Sequence, residues 1–99
     1  MVELRRTDIF DRWYERLRDP LARKRIADRV ERLAKGNPGD VRAVGQGVLE
    51  LRLDYGPGYR IYFSRRGSSV AILLAGGDKS SQQRDIRRAI ELARDLQGA

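Results

Sequence analysis

Residues 48–64 read VLELRLDYGPGYRIYFS, and the pattern of this stretch decides the fold. In its first half Leu49, Leu51 and Leu53 alternate with Glu50, Arg52 and Asp54, the period of a half-buried strand over Val48–Asp54. Tyr55-Gly56-Pro57-Gly58 is a turn sequence. In the second half Tyr59, Ile61 and Phe63 alternate with Arg60, Tyr62 and Ser64. Two alternating runs joined by a short glycine-rich turn read as a β-hairpin. Residues opposite one another in an antiparallel pair share a face of the sheet. If Leu51, Leu53, Ile61 and Phe63 face the core, then Glu50, Arg52, Arg60 and Tyr62 gather on the other face. One register sets Arg52 across from Tyr62 and Asp54 across from Arg60.

Downstream of the hairpin, Arg66-Gly67-Ser68 makes a second turn, and Val70–Ala75 is continuously apolar, as expected of a central strand covered on both faces. Gly76-Gly77-Asp78-Lys79 leaves that strand. Ser80 and Gln83 have capping-box spacing, and Ile86, Ala89, Ile90 and Ala93 form an apolar stripe at helical spacing. Upstream, Val41–Gly45 is weakly strand-like. Gly36-Asn37-Pro38-Gly39 stops a helix whose stripe is Ile26, Ala27, Val30, Leu33 and Ala34, and which starts at Asp19 as cap and Pro20 at the first helical position. Before it, Thr7 is an N-cap with Asp8 and Asp11 in the first turn, followed by a stripe of Phe10, Trp13, Tyr14 and Leu17. Val2–Arg6 reads as an edge strand. The pattern predicts an α+β fold of order β-α-α-β-β-β-α. Three or four strands form a mostly antiparallel sheet packed with helices, as one domain over residues 1–99.

Composition narrows the function classes. The 99 residues carry 21 Lys and Arg against 14 Asp and Glu, a formal charge of +7, with no Cys and no His. Disulfides and thiolate or imidazole metal sites are excluded, and so is the commonest general base. Neither a metal nor a cofactor is expected. No apolar run is long enough to span a bilayer, and the opening Met1-Val2-Glu3 leads into charge rather than a signal peptide, so residence in the cytoplasm is the expectation. The basic surplus is mostly Arg, which suits bidentate contact with phosphate. It favours a nucleic acid or an acidic protein partner; plain dispersal by charge is the alternative.

The hairpin and the segment after the last strand hold residue types that metal-free RNA cleavage could use, although spacing alone does not assign them that role. Such a reaction needs stabilisation of the extra charge on the phosphate, removal of the 2′-hydroxyl proton, and a proton for the leaving oxygen. Arg52, Arg60 and Lys79 suit the first task; Lys79, or one of Tyr55, Tyr59 and Tyr62, suits proton transfer where His is missing. Ser80, Ser81 and Tyr55 add hydroxyls for RNA or phosphate contact, and Gly76-Gly77 would allow a close approach. Each residue also has a plainer reading. Arg60 pairs with Asp54 and Arg52 with Glu50 as cross-strand partners, Lys79 is a solvated loop charge, Ser80 is a cap, and Trp13 and Tyr14 are core.

The stretch Glu50–Phe63 resembles the central hairpin of the RelE/ParE toxin superfamily, closest to its branch of addiction module killer, or phage-derived HigB-like, proteins. Leu73-Leu74-Ala75-Gly76-Gly77-Asp78-Lys79-Ser80-Ser81-Gln82 resembles a second signature of that branch, as do Phe10-Asp11-Arg12-Trp13 and Gly39-Asp40-Val41. The resemblance implies the toxin of a type II toxin–antitoxin pair. It implies a cognate antitoxin, commonly a helix-turn-helix protein, bound in a hetero-oligomer. It also implies, for RelE-type relatives, cleavage of messenger RNA on the ribosome. Arg60 matches the family's Gly-Tyr-Arg position, Arg52 a basic position on the preceding strand, and Lys79 one after the last strand. Many RelE-type nucleases carry a Tyr or His near the C-terminal end; here His is absent and no Tyr follows Tyr62, so the resemblance assigns no general base. ParE-type relatives share the fold and inhibit DNA gyrase, which leaves that reading, and that of a binding module without toxicity, beside the nuclease.

Overall fold

A computed structural model describes residues Met1–Gln97. Strand β1 (Glu3–Arg6) is followed by helices α1 (Asp8–Glu15) and α2 (Pro20–Ala34), strands β2 (Val41–Gly45), β3 (Val48–Arg52), β4 (Arg60–Arg66) and β5 (Val70–Gly77), a single 3₁₀ turn at Lys79–Ser81, and helix α3 (Gln82–Gln97). The α+β class holds. The weak strand signal at Val41–Gly45 is a full strand, so the sheet has five strands, ordered β1-β5-β4-β3-β2. Strands β2 to β5 run antiparallel, while β1 lies parallel to β5. The short-range pattern could not reveal that last pairing, because two helices and the whole meander separate the partners.

The helix starts follow the capping chemistry. The Thr7 side chain accepts from the Phe10 N–H, and its own hydroxyl donates to the Leu74 carbonyl at 2.7 Å, so the cap also ties α1 to β5. Asp19 accepts from the Leu21 N–H at 2.9 Å, with Pro20 at the first turn.

Both faces of the sheet are covered. On one, Phe10 of α1 and Ile26 and Leu33 of α2 pack with Leu51, Ile61, Phe63 and Leu73. On the other, Ala89 and Ala93 of α3 pack with Val48, Tyr62, Ile72 and Leu74. Each large side chain so buried contributes about 1.5–3 kcal/mol. The register of β4 with β5 slips between Tyr62 and Phe63, where Tyr62 pairs with Ala75 but Phe63 pairs with Leu73. The bulge at Leu74 reverses the facing of the strand end. Gly76 therefore meets the indole of Trp13 in α1, and Gly77 meets Asp85 in α3. A Cβ at either position would overlap its neighbour. The close approach expected at Gly76-Gly77 is thus made by the protein's own side chains.

Candidate nucleic-acid interface

The end of β3 and the start of β4 place the two central arginines side by side. The observed register pairs Arg52 with Arg60, Leu51 with Ile61 and Glu50 with Tyr62. This corrects the expected register by two residues. The parity and hence the shared face stand, but Asp54 does not oppose Arg60. The loop decides the difference: the Leu53 N–H donates to the Tyr59 carbonyl at 3.0 Å, closing the ladder one pair beyond Arg52–Arg60. Two guanidiniums opposite one another repel, and each is compensated by an acid. Arg52 meets Asp40 at 3.3 Å in an exposed pair, the kind that contributes little to stability.

Arg60 is held differently. Its Nη1 lies 3.2 Å from Oε1 of Glu50, and Arg42 of β2 reaches the same oxygen at 3.0 Å. Gln82, at the start of α3, donates to Oε2 at 2.9 Å. The Glu50 side chain is wholly buried, and Arg60 keeps only 12% of its side chain exposed. Burial pushes the Glu50 carboxyl upward. The hydrogen bonds from Gln82 and Arg42 and the charge of Arg60 outweigh it, and the net pKa lies below the ordinary glutamate value. The plainer pairings expected from sequence, Arg60 with Asp54 and Arg52 with Glu50, are replaced by Arg60 with Glu50 and Arg52 with Asp40.

Lys79 is brought to the same place by a second contact. Asp78 caps the 3₁₀ turn, accepting from the Ser80 N–H at 2.8 Å, so the cap is Asp78 and not Ser80. The Lys79 N–H donates to the Pro57 carbonyl at 3.3 Å, docking this turn on the β3–β4 loop. Gly58, at φ +78°, allows the approach: a Cβ there would lie 3.3 Å from that of Lys79. Between the two turns lies an open groove of about 490 Å³ lined by Asp40, Arg52, Asp54, Arg60, Lys79 and the loop Gly56–Gly58.

The other expected site residues lie elsewhere. Tyr62 is wholly buried beneath α3. Its hydroxyl lies beside the Glu50 carboxylate without a well-formed hydrogen bond, and burial, then the charge of Glu50 and the weak contact with it, raise its pKa strongly. The Tyr55 hydroxyl donates to Asp19 at 2.6 Å under the guanidinium of Arg25. That bond lowers the Asp19 pKa and raises that of Tyr55. The ring lines a separate cleft with Arg25, Arg29 and Arg32. Arg29 itself is structural there, donating to the carbonyls of Arg52 at 2.8 Å and Pro38 at 3.0 Å. The Ser80 and Ser81 hydroxyls donate to Asp78 and Asp85; both serines line a second polar cleft that shares Lys79 with the groove. Sequence reading passed over Arg42, Gln82 and Asp40. The usable signal was parity: Val48, Glu50, Tyr62 and Ser64 share one face, and the stripe of the last helix needs a face to cover.

Among the described residues no three His, Cys, Asp or Glu side chains gather as a metal ligand set, and no helix is long and apolar enough to cross a membrane. Fold and site together define a small basic α+β protein with an open polar groove at the strand ends, whose two arginines are paired with acids. The chain belongs to the phage-derived Gp49-like family, a family associated with toxin–antitoxin modules, since residues 15–97 match "Phage derived protein Gp49-like (DUF891)". It is also 42% identical over 95 residues, 96% of each chain, to a Haemophilus influenzae protein described as "Uncharacterized protein".

Proposed function

We propose that this chain is the toxin of a type II toxin–antitoxin pair and cleaves messenger RNA on the ribosome, in the cytoplasm, without a metal. The observation that carries the reading is the convergence of Arg52, Arg60 and Lys79 on one groove, with Arg60 held rigid from behind by Glu50. A preoriented guanidinium stabilises charge developing on phosphate without reorganising during the reaction. The titratable groups lining the groove are Asp40, Asp54 and Lys79. Asp40 is engaged by Arg52, which leaves Asp54 and Lys79 to exchange protons with the ribose hydroxyl and the leaving oxygen. Ser80, Ser81 and Tyr55, with hydroxyls engaged by carboxylates, act at most through contact. A cognate antitoxin, of helix-turn-helix type in this reading, binds the toxin in a hetero-oligomer.

Primer extension on a defined messenger, with and without programmed ribosomes, tests the reading. Cuts are expected only with ribosomes. Arg60→Ala should abolish them while the protein remains folded by circular dichroism. An intact messenger in the presence of folded wild-type protein would overturn the endonuclease. One observation favours a second reading, inhibition of DNA gyrase: neither Tyr62 nor Tyr55 offers a free hydroxyl to the groove. Trapped gyrase–DNA breaks with intact messenger would support it.

A further inference from the structure

The groove that gathers Arg52, Arg60 and Lys79 is poorly charged for gripping a polyanion. Arg52 is neutralised by Asp40, Arg60 and Arg42 share Glu50, and Asp54 lies in the groove as well. The adjoining cleft has the opposite balance. It is an open cleft of about 490 Å³ running from Lys79 along the first turns of α3 to Arg84 and Arg87. Arg84 has 78% of its side chain exposed and only a 3.9 Å contact with Asp85. Arg87 is exposed and, like Lys79, has no acidic partner among the described residues. The acids of this segment are turned away: Asp85 is buried and accepts from Ser81, Asp78 accepts from Ser80, and neither lines the cleft.

Arg84 and Arg87 sit three residues apart on one helix face, about 5–6 Å between their Cβ atoms. Unneutralised like charges at that spacing disfavour the isolated protein slightly, and a bound anion reverses the sign. The geometry points to a second site: the Lys79–Arg84–Arg87 cleft holds the phosphodiester backbone of a single-stranded RNA segment whose scissile phosphate lies in the adjoining groove. Affinity is then supplied beside the reaction groove rather than in it, with Lys79 as the shared wall. Every side chain lining the cleft is polar. Protein partners are anchored by apolar and aromatic side chains at the centre of an interface. Such groups line the groove between α1 and α2, with Phe10, Tyr14, Ile26 and Val30, and none lines this cleft. Nucleic-acid interfaces are polar and positively charged. The inference rests on the reading of the adjoining groove as RNA-directed.

The test is the salt dependence of binding of a short fluorescein-labelled oligouridine to the purified protein and to the Arg84→Gln/Arg87→Gln double variant. Each phosphate contact contributes about 0.7 to the slope of log K against log salt for single strands. Losing two contacts should lower the slope by about 1.4. An unchanged slope in the double variant would overturn the inference, even if the wild-type protein cuts messenger on ribosomes. A lowered slope without any cutting would support the cleft and sink the endonuclease. Equal binding of a poly-glutamate of matched charge, lost in the same variant, would overturn RNA in favour of an acidic protein. Both substituted positions are exposed, so the variant should retain the wild-type circular dichroism spectrum.

Discussion

Tyr62 separates a sheet-face tyrosine that packs from one that reacts. The side chain is wholly buried, and its hydroxyl makes at most a weak contact, with the Glu50 carboxylate beside it. A buried unsatisfied polar group costs stability, and its removal in a well-filled site is neutral or favourable. Tyr62→Phe should therefore leave ribosome-dependent cleavage within a few-fold of wild type and change stability by no more than about 1 kcal/mol. The alkaline limb of the stability curve gives an independent readout. The folded-state pKa is raised above the ordinary tyrosine value. Above about pH 10 the unfolded chain therefore loses a proton that the folded chain keeps, and stability falls as pH rises. Denaturant melts should show that the variant lacks part of this fall. A variant that is stable but inactive would return Tyr62 to the chemistry.

At the scale of elements, strand β5 and its contacts show where sequence reading ends. The alternation of Leu51, Leu53, Ile61 and Phe63 and the caps at Thr7 and Asp19 are local, and the structure keeps them. The two-residue register shift is set by the loop pair Leu53–Tyr59, and alternation cannot see it, because a shift of two preserves every face. The bulge at Leu74 is hidden because Val70–Ala75 is apolar throughout, which erases parity. The groove was legible in its cations and less so in the groups that hold them: Arg52, Arg60 and Lys79 stand out by type, while Asp40, the partner of Arg52, precedes β2, and Gln82, which holds Glu50, comes from α3. Gly76 tests the consequence of the bulge. A Cβ would collide with the Trp13 indole, so Gly76→Ala should destabilise by about 1–3 kcal/mol, the usual cost of overpacking. Adding Trp13→Leu should recover part of that loss in chemical denaturation. Additive effects of the two changes would mean that the glycine is there for some other reason.

The whole molecule is joined at one carboxylate. Glu50 on β3 accepts from Arg42 on β2, Arg60 on β4 and Gln82 on α3, so four elements meet at a side chain with no solvent contact. A buried charge without its partner costs about 3–5 kcal/mol. Because Arg42 is half exposed and can be solvated, Glu50→Gln should fall near the lower end, at about 3 kcal/mol at neutral pH. The pH dependence follows from the depressed pKa. The stabilisation is fully present above the unfolded-chain glutamate value of about 4.3, and it is lost as pH falls through the lower folded-state value. Wild type and Glu50→Gln should therefore differ in denaturant midpoint by a constant amount from neutral pH down to about pH 5, and the difference should narrow below about pH 4. Asp19, also depressed by its bond from Tyr55, is present in both proteins, and its contribution cancels in the difference. A gap that stays constant through the acid range would mean that Glu50 is held by hydrogen bonds alone. A narrowing gap would mean that the carboxylate's charge, which fixes Arg60 in the groove, also carries part of the stability of the junction where Gln82 of α3 meets the sheet.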